Sequence, residues 1–382
     1  MKICIVSGPI SDSWDQSFEL DQAIALNEYG HEVYIVSIDL RSLRNKRKHG
    51  ITQSNYQGIN VIRCSLPFGP IFPKVGHEIG AKLFGYIYKK LKRRNIVFDV
   101  VHAHFVWNAY TASKTMAKET IPFIITEHSS TVHKPLEQMN SKDIHMAEYS
   151  YAKADRIIAV SESLSKSIKS NFGYDSIIVY NVIDEETFYY IEKDNKKNNE
   201  KFTFVSAGHL NDNKRMDLLI KSFAKAFSNN KKIMLKIFGE GPNRKKLESI
   251  IHDLEIGEQV LLMGNRPRRM LSKAYDDADC FVLLSKHETF GVSYIEAMKK
   301  GLPVIACKSG GPEAFIYEDV GMITDDDIDK VAEAMIYMEE NIDKFSSNKI
   351  SRYVDNMCSR RVIAERLTEI YSNCINEYTI TD

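Results

Sequence analysis

Glu288 and Glu296 stand eight residues apart in the run Glu288-Thr289-Phe290-Gly291-Val292-Ser293-Tyr294-Ile295-Glu296. An apolar stretch, Asp279 to Leu284, and a short Ser285-Lys286-His287 loop precede them. A strand over that stretch and a helix opening near Gly291 would leave Glu288 in the loop and Glu296 in the second helical turn. One carboxylate could then meet a sugar hydroxyl and the other a ribose diol. The free N–H groups of the helix start, between the two, suit a diphosphate. Either glutamate alone reads equally as a solvated carboxylate; the pair with Phe290-Gly291 between them asks for a ligand.

Four further segments carry groups of the same kind. In Val205-Ser206-Ala207-Gly208-His209-Leu210-Asn211-Asp212-Asn213-Lys214-Arg215 a strand runs into a glycine turn, and Lys214 arrives where an ammonium could meet phosphate oxygens. Taken singly, such a segment is more often only a helix start. Ser309-Gly310-Gly311-Pro312-Glu313 allows close backbone approach, with proline at a first helical position. His102 and His104, in Phe98-Asp99-Val100-Val101-His102-Ala103-His104, and His128, in Ile124-Ile125-Thr126-Glu127-His128, fall at strand C-terminal ends. Those ends are where α/β sheets place ligands.

The elements that must position these residues alternate along the chain. Strands are expected at 2–7, 32–38, 60–64, 99–103, 122–126, 156–160 and 176–180, with helices near 17–29, 78–94, 107–118, 141–153 and 162–170. The charged stretch 192–201 reads as a linker. The pattern then restarts, with strands at 202–206, 233–238, 259–263, 280–284 and 304–307. Helices follow near 215–228, 243–254, 268–277, 291–300, 327–340 and 360–377. This is an α/β fold of two Rossmann-like domains in series, with the ligand expected in a cleft between them. The domains are placed at 1–190 and 201–359.

Bulk composition agrees. The chain has 382 residues, 43% hydrophobic and 27% charged, which suits two globular domains. No apolar run is long enough to span a bilayer, and Met1–Ser7 reads as a first strand rather than a leader. A cytoplasmic protein is expected. Six cysteines without metal-ligand spacing read as buried reduced thiols. Asp325-Asp326-Asp327 resembles a metal motif, but Asp327 reads as a helix cap and Asp279, in Asp277-Ala278-Asp279, as a strand start. Arg266-Pro267-Arg268-Arg269 lacks the interleaved aromatics of a nucleic-acid site.

Net charge is zero, yet residues 41–94 hold 13 basic residues against one acid, Glu78. Within them Ile79, Leu83, Tyr86, Ile87 and Leu91 recur at helical spacing, widened by Phe84 and Tyr88. Lys82, Lys89, Lys90, Lys92, Arg93 and Arg94 supply charge. Such a helix over 78–94 either packs its apolar face on the sheet or also lies on an anionic membrane surface.

The chain resembles the large retaining glycosyltransferase family four, which has the GT-B fold. The pair Glu288 and Glu296, Gly239-Glu240-Gly241-Pro242, Ala278-Asp279, Glu296-Ala297-Met298 and Gly310-Gly311-Pro312-Glu313 carry the likeness. In the first half Gly30-His31-Glu32-Val33, Asp99 to His104 and Ala154-Asp155-Arg156 join them. The resemblance implies a metal-independent transferase with no cofactor. Its donor would be a nucleotide-diphosphate sugar, UDP in preference to GDP, and the sugar moved a hexose or N-acetylhexosamine. The acceptor would be a glycan or lipid-linked molecule of surface polysaccharide synthesis. Glu288, Lys214 and His128 would be catalytic. His209, Lys214, Glu288, Phe290, Gly291, Val292 and Glu296 would bind the donor, mainly in the second domain, and a helix near 360–378 would return to the first. Departures are Asn181-Val182-Ile183-Asp184 for the family's Asn-Gly-Ile-Asp, His209 for an arginine, and a single glycine in Ser7-Gly8-Pro9-Ile10-Ser11-Asp12-Ser13-Trp14. Histidine is a weaker, pH-dependent cation, so diphosphate binding leans on Lys214. A sugar-nucleotide epimerase, a phosphorylase and a silent glycan-binding subunit are the competing readings.

Overall fold

The computed structural model describes residues 1–10, 18–41, 48–67, 76–192 and 201–381. The linker expected at 192–201 lies almost wholly outside the described residues, as do Ser11 to Trp14 of the first loop. The contacts divide the chain into two units: Met1–Val182 with Arg360–Asp382, and Ile183–Ser359.

The first unit has the strands β1 (Lys2–Ser7), β2 (Glu32–Asp39), β3 (Gly50–Tyr56), β4 (Ile59–Ser65), β5 (Val100–His104), β6 (Phe123–Glu127), β7 (Arg156–Ala159) and β8 (Ile177–Ile178). Their order is β3-β4-β2-β1-β5-β6-β7-β8. Every pairing is parallel except β3 with β4. The helices are α1 (Phe18–Glu28), α2 (Gly76–Lys92), α3 (Phe105–Met116), α4 (Ser141–Tyr151), α5 (Glu162–Phe172) and, from the end of the chain, α12 (Arg360–Thr381). Runs such as Ile3-Cys4-Ile5-Val6 are wholly buried because helices cover both sheet faces. On one face α12 sets Ile363, Leu367, Ile370, Tyr371 and Cys374 into a core shared with Leu20, Ala23 and Ile24 of α1.

The second unit is a six-stranded parallel sheet ordered β11-β10-β9-β12-β13-β14. Its strands are β9 (Phe202–Ala207), β10 (Ile233–Phe238), β11 (Val260–Gly264), β12 (Cys280–Leu283), β13 (Val304–Cys307) and β14 (Gly321–Thr324). Between and after them run α6 (Met216–Phe227), α7 (Arg244–Asp253), α8 (Arg268–Asp276), α9 (Val292–Lys299), α10 (Ile328–Glu340) and α11 (Ser347–Cys358). Strand order reverses between β9 and β12, so the loops leaving those two neighbours part at a topological switch point. Asp327 caps α10, accepting from the N–H groups of Asp329 (2.8 Å) and Lys330 (3.2 Å). All six cysteines are free and buried.

The second unit begins before residue 190. Phe188 packs against Tyr275 with ring centres 6.1 Å apart, and the Ser272 hydroxyl donates to the Thr187 carbonyl at 2.6 Å. Helix α2 buries Phe84, Ile87, Tyr88 and Leu91. Tyr86, expected on that apolar face, is instead 55% exposed, beside Lys90.

Candidate functional site

At the switch point of the second unit the loop after β9 meets the loop after β12. Gly239, at φ 138°, lets the loop after β10 pass beneath: a Cβ there would fall 1.9 Å from the Gly208 carbonyl oxygen. The Asn211 side chain accepts from the Asn213 and Lys214 N–H groups, both at 3.1 Å, which tightens the turn before α6. Asn213 then ties the loops together. Its carbonyl accepts from the Lys286 N–H (2.8 Å), its side-chain oxygen from the His287 N–H (3.1 Å), and its amide nitrogen donates to the His287 carbonyl (3.0 Å). Arg215 locks the base of the loop by donating from Nε to the Leu284 carbonyl at 2.6 Å.

This lacing brings Lys214 to Glu288: Nζ stands 2.5 Å from Oε1, with the side chains 21% and 12% exposed. The Glu288 N–H donates to the Ser309 carbonyl at 2.9 Å, so the loop after β13 is drawn in as well. Glu313 is spent on that loop: its carboxylate accepts from Ser309 N–H (2.8 Å) and Gly310 N–H (2.9 Å). Helix α9 opens at Gly291, at φ 100°, with no side-chain cap. The Tyr294 N–H already donates to the Gly291 carbonyl at 3.0 Å, which leaves the amides of Val292 and Ser293 to offer an anion. The Phe290 ring is buried against Phe315, centres 5.4 Å apart, so Phe290 faces the loop through its backbone. His209 is exposed on the loop after β9.

Glu296 lies in α9, only 7% exposed. Arg268 of α8 donates to its Oε1 from Nη2 (2.8 Å) and Nε (3.2 Å). Burial raises the Glu296 carboxyl above its ordinary value, the Arg268 charge pulls it down, and Asp184 pushes it up again. Weighing Arg266 to Arg269 only as a nucleic-acid site missed this. The signal was present: Arg268 opens a helix immediately before the β12 strand that delivers both glutamates.

In the first unit, His102, His104 and His128 are brought into one buried chain. His104 Nδ1 and His128 Nε2 share a hydrogen at 2.9 Å, and the rings of His102 and His104 stack at 4.6 Å. Gln22 Nε2 reaches His102 at 3.3 Å and His104 at 3.2 Å. His102 also meets the Tyr371 hydroxyl (2.6 Å) and the Thr126 hydroxyl (2.7 Å). Burial lowers His128 to about 3, against a weaker upward pull from the Asn181 side chain. His128 is thus neutral, held between Phe18 (5.5 Å) and Phe105 (4.9 Å). Phe105 takes φ 64° to open α3, a strained setting for a bulky residue.

Glu127, quoted in the sequence beside His128 without a role, is the brace for this loop. It is fully buried and accepts from the N–H groups of His128 (3.0 Å) and Ser129 (2.7 Å) and from the Tyr151 hydroxyl (3.0 Å). Burial lifts it to about 7 despite those bonds.

Comparison with known proteins bears on the family and the fold. The family described as Glycosyl transferases group 1 matches residues 190–355, and Glycosyltransferase Family 4 matches residues 20–187. An uncharacterized glycosyltransferase of Methanocaldococcus jannaschii is 28% identical over 242 residues, 59% of this chain and 62% of that protein. The N-acetyl-alpha-D-glucosaminyl L-malate synthase of Bacillus anthracis is 25% identical, over 78% of this chain and 77% of its own. Among solved structures, sucrose-phosphate synthase from Thermosynechococcus elongatus shares the fold at TM-score 0.80 and 17% identity, covering 97% of this chain and 98% of that one. Anabaena HepE in complex with UDP-glucose does so at 0.74 and 15%, covering 98% and 100%.

Proposed function

Because the chain is a group 1 glycosyltransferase of the family 4 type, we propose that it moves a hexose or N-acetylhexosamine from a UDP-sugar to a glycan or lipid-linked acceptor, with retention at the anomeric carbon. The observation that carries the reading is the Lys214–Glu288 contact at the switch point, beside the uncapped start of α9. It sets a cation, a carboxylate and free backbone donors within one loop cluster, the three groups a sugar diphosphate needs.

In this scheme Lys214 and the first-turn amides of α9 take up the charge that develops on the departing diphosphate, with His209 at the loop's edge. Stabilisation of developing charge by fixed donors is usually the largest catalytic contribution. Glu288 holds hydroxyls of the transferred sugar and Glu296 those of the ribose. The acceptor hydroxyl attacks the anomeric carbon on the face the diphosphate leaves, the C–O bond to the diphosphate breaks, and the hydroxyl proton passes to the departing phosphate oxygen. His128, neutral, serves the sugar as a hydrogen-bonding group rather than a charge. No metal enters the scheme, since the positive field comes from the chain. UDP is preferred over GDP by analogy with the UDP-glucose complex of HepE.

The acceptor is placed with the first unit. Lys82, Lys89, Lys90, Arg93 and Arg94 are exposed along α2 and just beyond it, and no helix among the described residues is long and apolar enough to cross a membrane. Peripheral contact with an anionic inner leaflet would deliver a lipid-linked acceptor. The test of the whole reading is acceptor-dependent UDP release from a panel of UDP-sugars and lipid-linked acceptors, with the product's anomeric configuration read by NMR. UDP release without an acceptor product, or an inverted product, refutes it.

A further inference from the structure

Glu296 is an awkward residue to keep charged. It is buried in α9, with the Tyr275 ring nearby and the Asp184 carboxylate adding repulsion. A buried carboxyl left alone there would hold its proton. A protonated carboxyl accepts poorly from two neighbouring hydroxyls, whereas an ionised one accepts from both. The arrangement around Arg268 answers both difficulties. Two of its nitrogens converge on Oε1 of Glu296, and no described residue donates to Oε2. The same guanidinium lies 3.5 Å from Asp184 through Nη1 and rests 5.4 Å from the centre of the Phe188 ring. Its side chain is 13% exposed, so its orientation is set by packing rather than by solvent. The charged neighbours at the end of α9 are engaged elsewhere: Lys299, its last residue, on Asp355, and Lys300, just beyond it, on Asp276 at 2.8 Å and the Tyr189 carbonyl at 2.6 Å. Among the described residues, Arg268 alone forms an ion pair with Glu296.

We propose that Arg268 is a positioning residue for nucleotide recognition: it holds Oε1 of Glu296 and leaves Oε2 to accept from the ribose hydroxyls. The inference rests on the reading of Glu296 as the ribose-binding carboxylate and adds to it the group that makes that carboxylate usable. Arg268 touches no substrate in this assignment. Its effect on binding passes wholly through Glu296 and therefore depends on the two ribose hydroxyls and on pH. Lysine in its place would keep the charge but lose the fixed fork of donors, so it should restore the function in part.

The test is calorimetric titration of the full chain with whichever of UDP and GDP binds more tightly, and with the 2′,3′-dideoxy form of that nucleotide. Wild type should bind the dideoxy form about tenfold or more weakly, the range for hydrogen bonds to a charged group. Arg268→Met should lose about tenfold in affinity for the parent nucleotide at pH 7 and little for the dideoxy form, so that discrimination collapses. Raising the pH toward 9 should restore the parent nucleotide selectively, as Glu296 sheds its proton without help. Arg268→Lys should fall between the two and serves alone if the methionine variant does not fold. Discrimination that persists in both variants, or an equal loss for both nucleotides at every pH, overturns the role of Arg268 while leaving Glu296 as the ribose group. A wild type that binds both forms equally overturns the ribose assignment itself, and this proposal with it.

Discussion

Lys214 and Glu288 should respond in opposite directions to a free nucleotide, and the reason lies in their contact. With no ligand, Nζ spends its charge on Oε1 at 2.5 Å, in a setting where the two side chains are 21% and 12% exposed. Exposed pairs contribute under about 1 kcal/mol, and breaking a buried one costs about 3–5; this pair falls between, near 2 kcal/mol. A diphosphate must compete for Lys214 against that attraction. Glu288→Gln keeps the shape and an acceptor oxygen but removes the competing charge. Affinity for UDP should then be unchanged or rise by up to about fivefold, roughly 1 kcal/mol. Turnover should fall about a hundredfold or more, because the sugar loses its carboxylate. Lys214→Ala should instead weaken UDP by about 10- to 150-fold, the equivalent of ~1.5–3 kcal/mol for a charge-assisted bond. Calorimetry with UDP alone, before any acceptor is added, isolates the effect, and circular dichroism checks folding. If both substitutions weaken UDP by similar factors, the pair is structural and Lys214 does not face the diphosphate. Near-normal turnover in folded Glu288→Gln removes Glu288 from the chemistry.

Three further outcomes follow from the same geometry. Glu127 is held at about 7 in the folded chain against an ordinary value of 4.5, so its contribution is fully present below about 4.5 and is lost as pH rises through 7. Against Glu127→Gln, wild type should lose about 3 kcal/mol across that window; urea unfolding followed by tryptophan fluorescence reads it, since Trp107 lies in α3 of the first unit, and parallel pH profiles count against it. Gly291→Ala forces φ 100° on a residue with a Cβ, 2.7 Å from Tyr294 Cδ2. It should cost about 1–3 kcal/mol and weaken UDP binding together, and an unshifted melting temperature contradicts it. Wild-type protein should sediment with anionic but not neutral vesicles at low salt and be released at high salt; changing Lys89, Lys90, Arg93 and Arg94 to glutamine should abolish this, and indifference of wild type to anionic vesicles ends the membrane proposal.

What could be read ahead of the structure depended on burial. Strands such as β1 and β12 announce themselves because both sheet faces are covered and every side chain must be apolar. Strand β3 does not. Gly50-Ile51-Thr52-Gln53-Ser54-Asn55-Tyr56 is an edge strand, mostly exposed, and only its turn hinted at it: Gln57 and Gly58 both take positive φ. Strand β14 is four residues long, and α11 buries Ile350, Ser351, Val354 and Cys358 within a largely polar stretch. At the site, Glu288, Lys214 and Gly291 were legible because loop chemistry limits the residue types available. Arg268 and Glu127 were not, since what they do depends on partners 28 residues distant in one case and on several elements in the other.

Helix α12 has a consequence for how the chain is made. It fills the first unit's core with Leu367, Tyr371 and Cys374, yet it is synthesised after the whole of the second unit. At translation rates of about 5–20 residues per second, the first 182 residues wait roughly 10–35 s for it. Through that interval Leu20, Ala23 and Ile24 of α1 lack their cover, and the His102 ring lacks the Tyr371 hydroxyl. The later-encoded unit can therefore complete its sheet on the ribosome while the earlier one is still open. Chaperone capture during synthesis should concentrate on the N-terminal half, and a stop codon anywhere before residue 360 leaves that half without its lid.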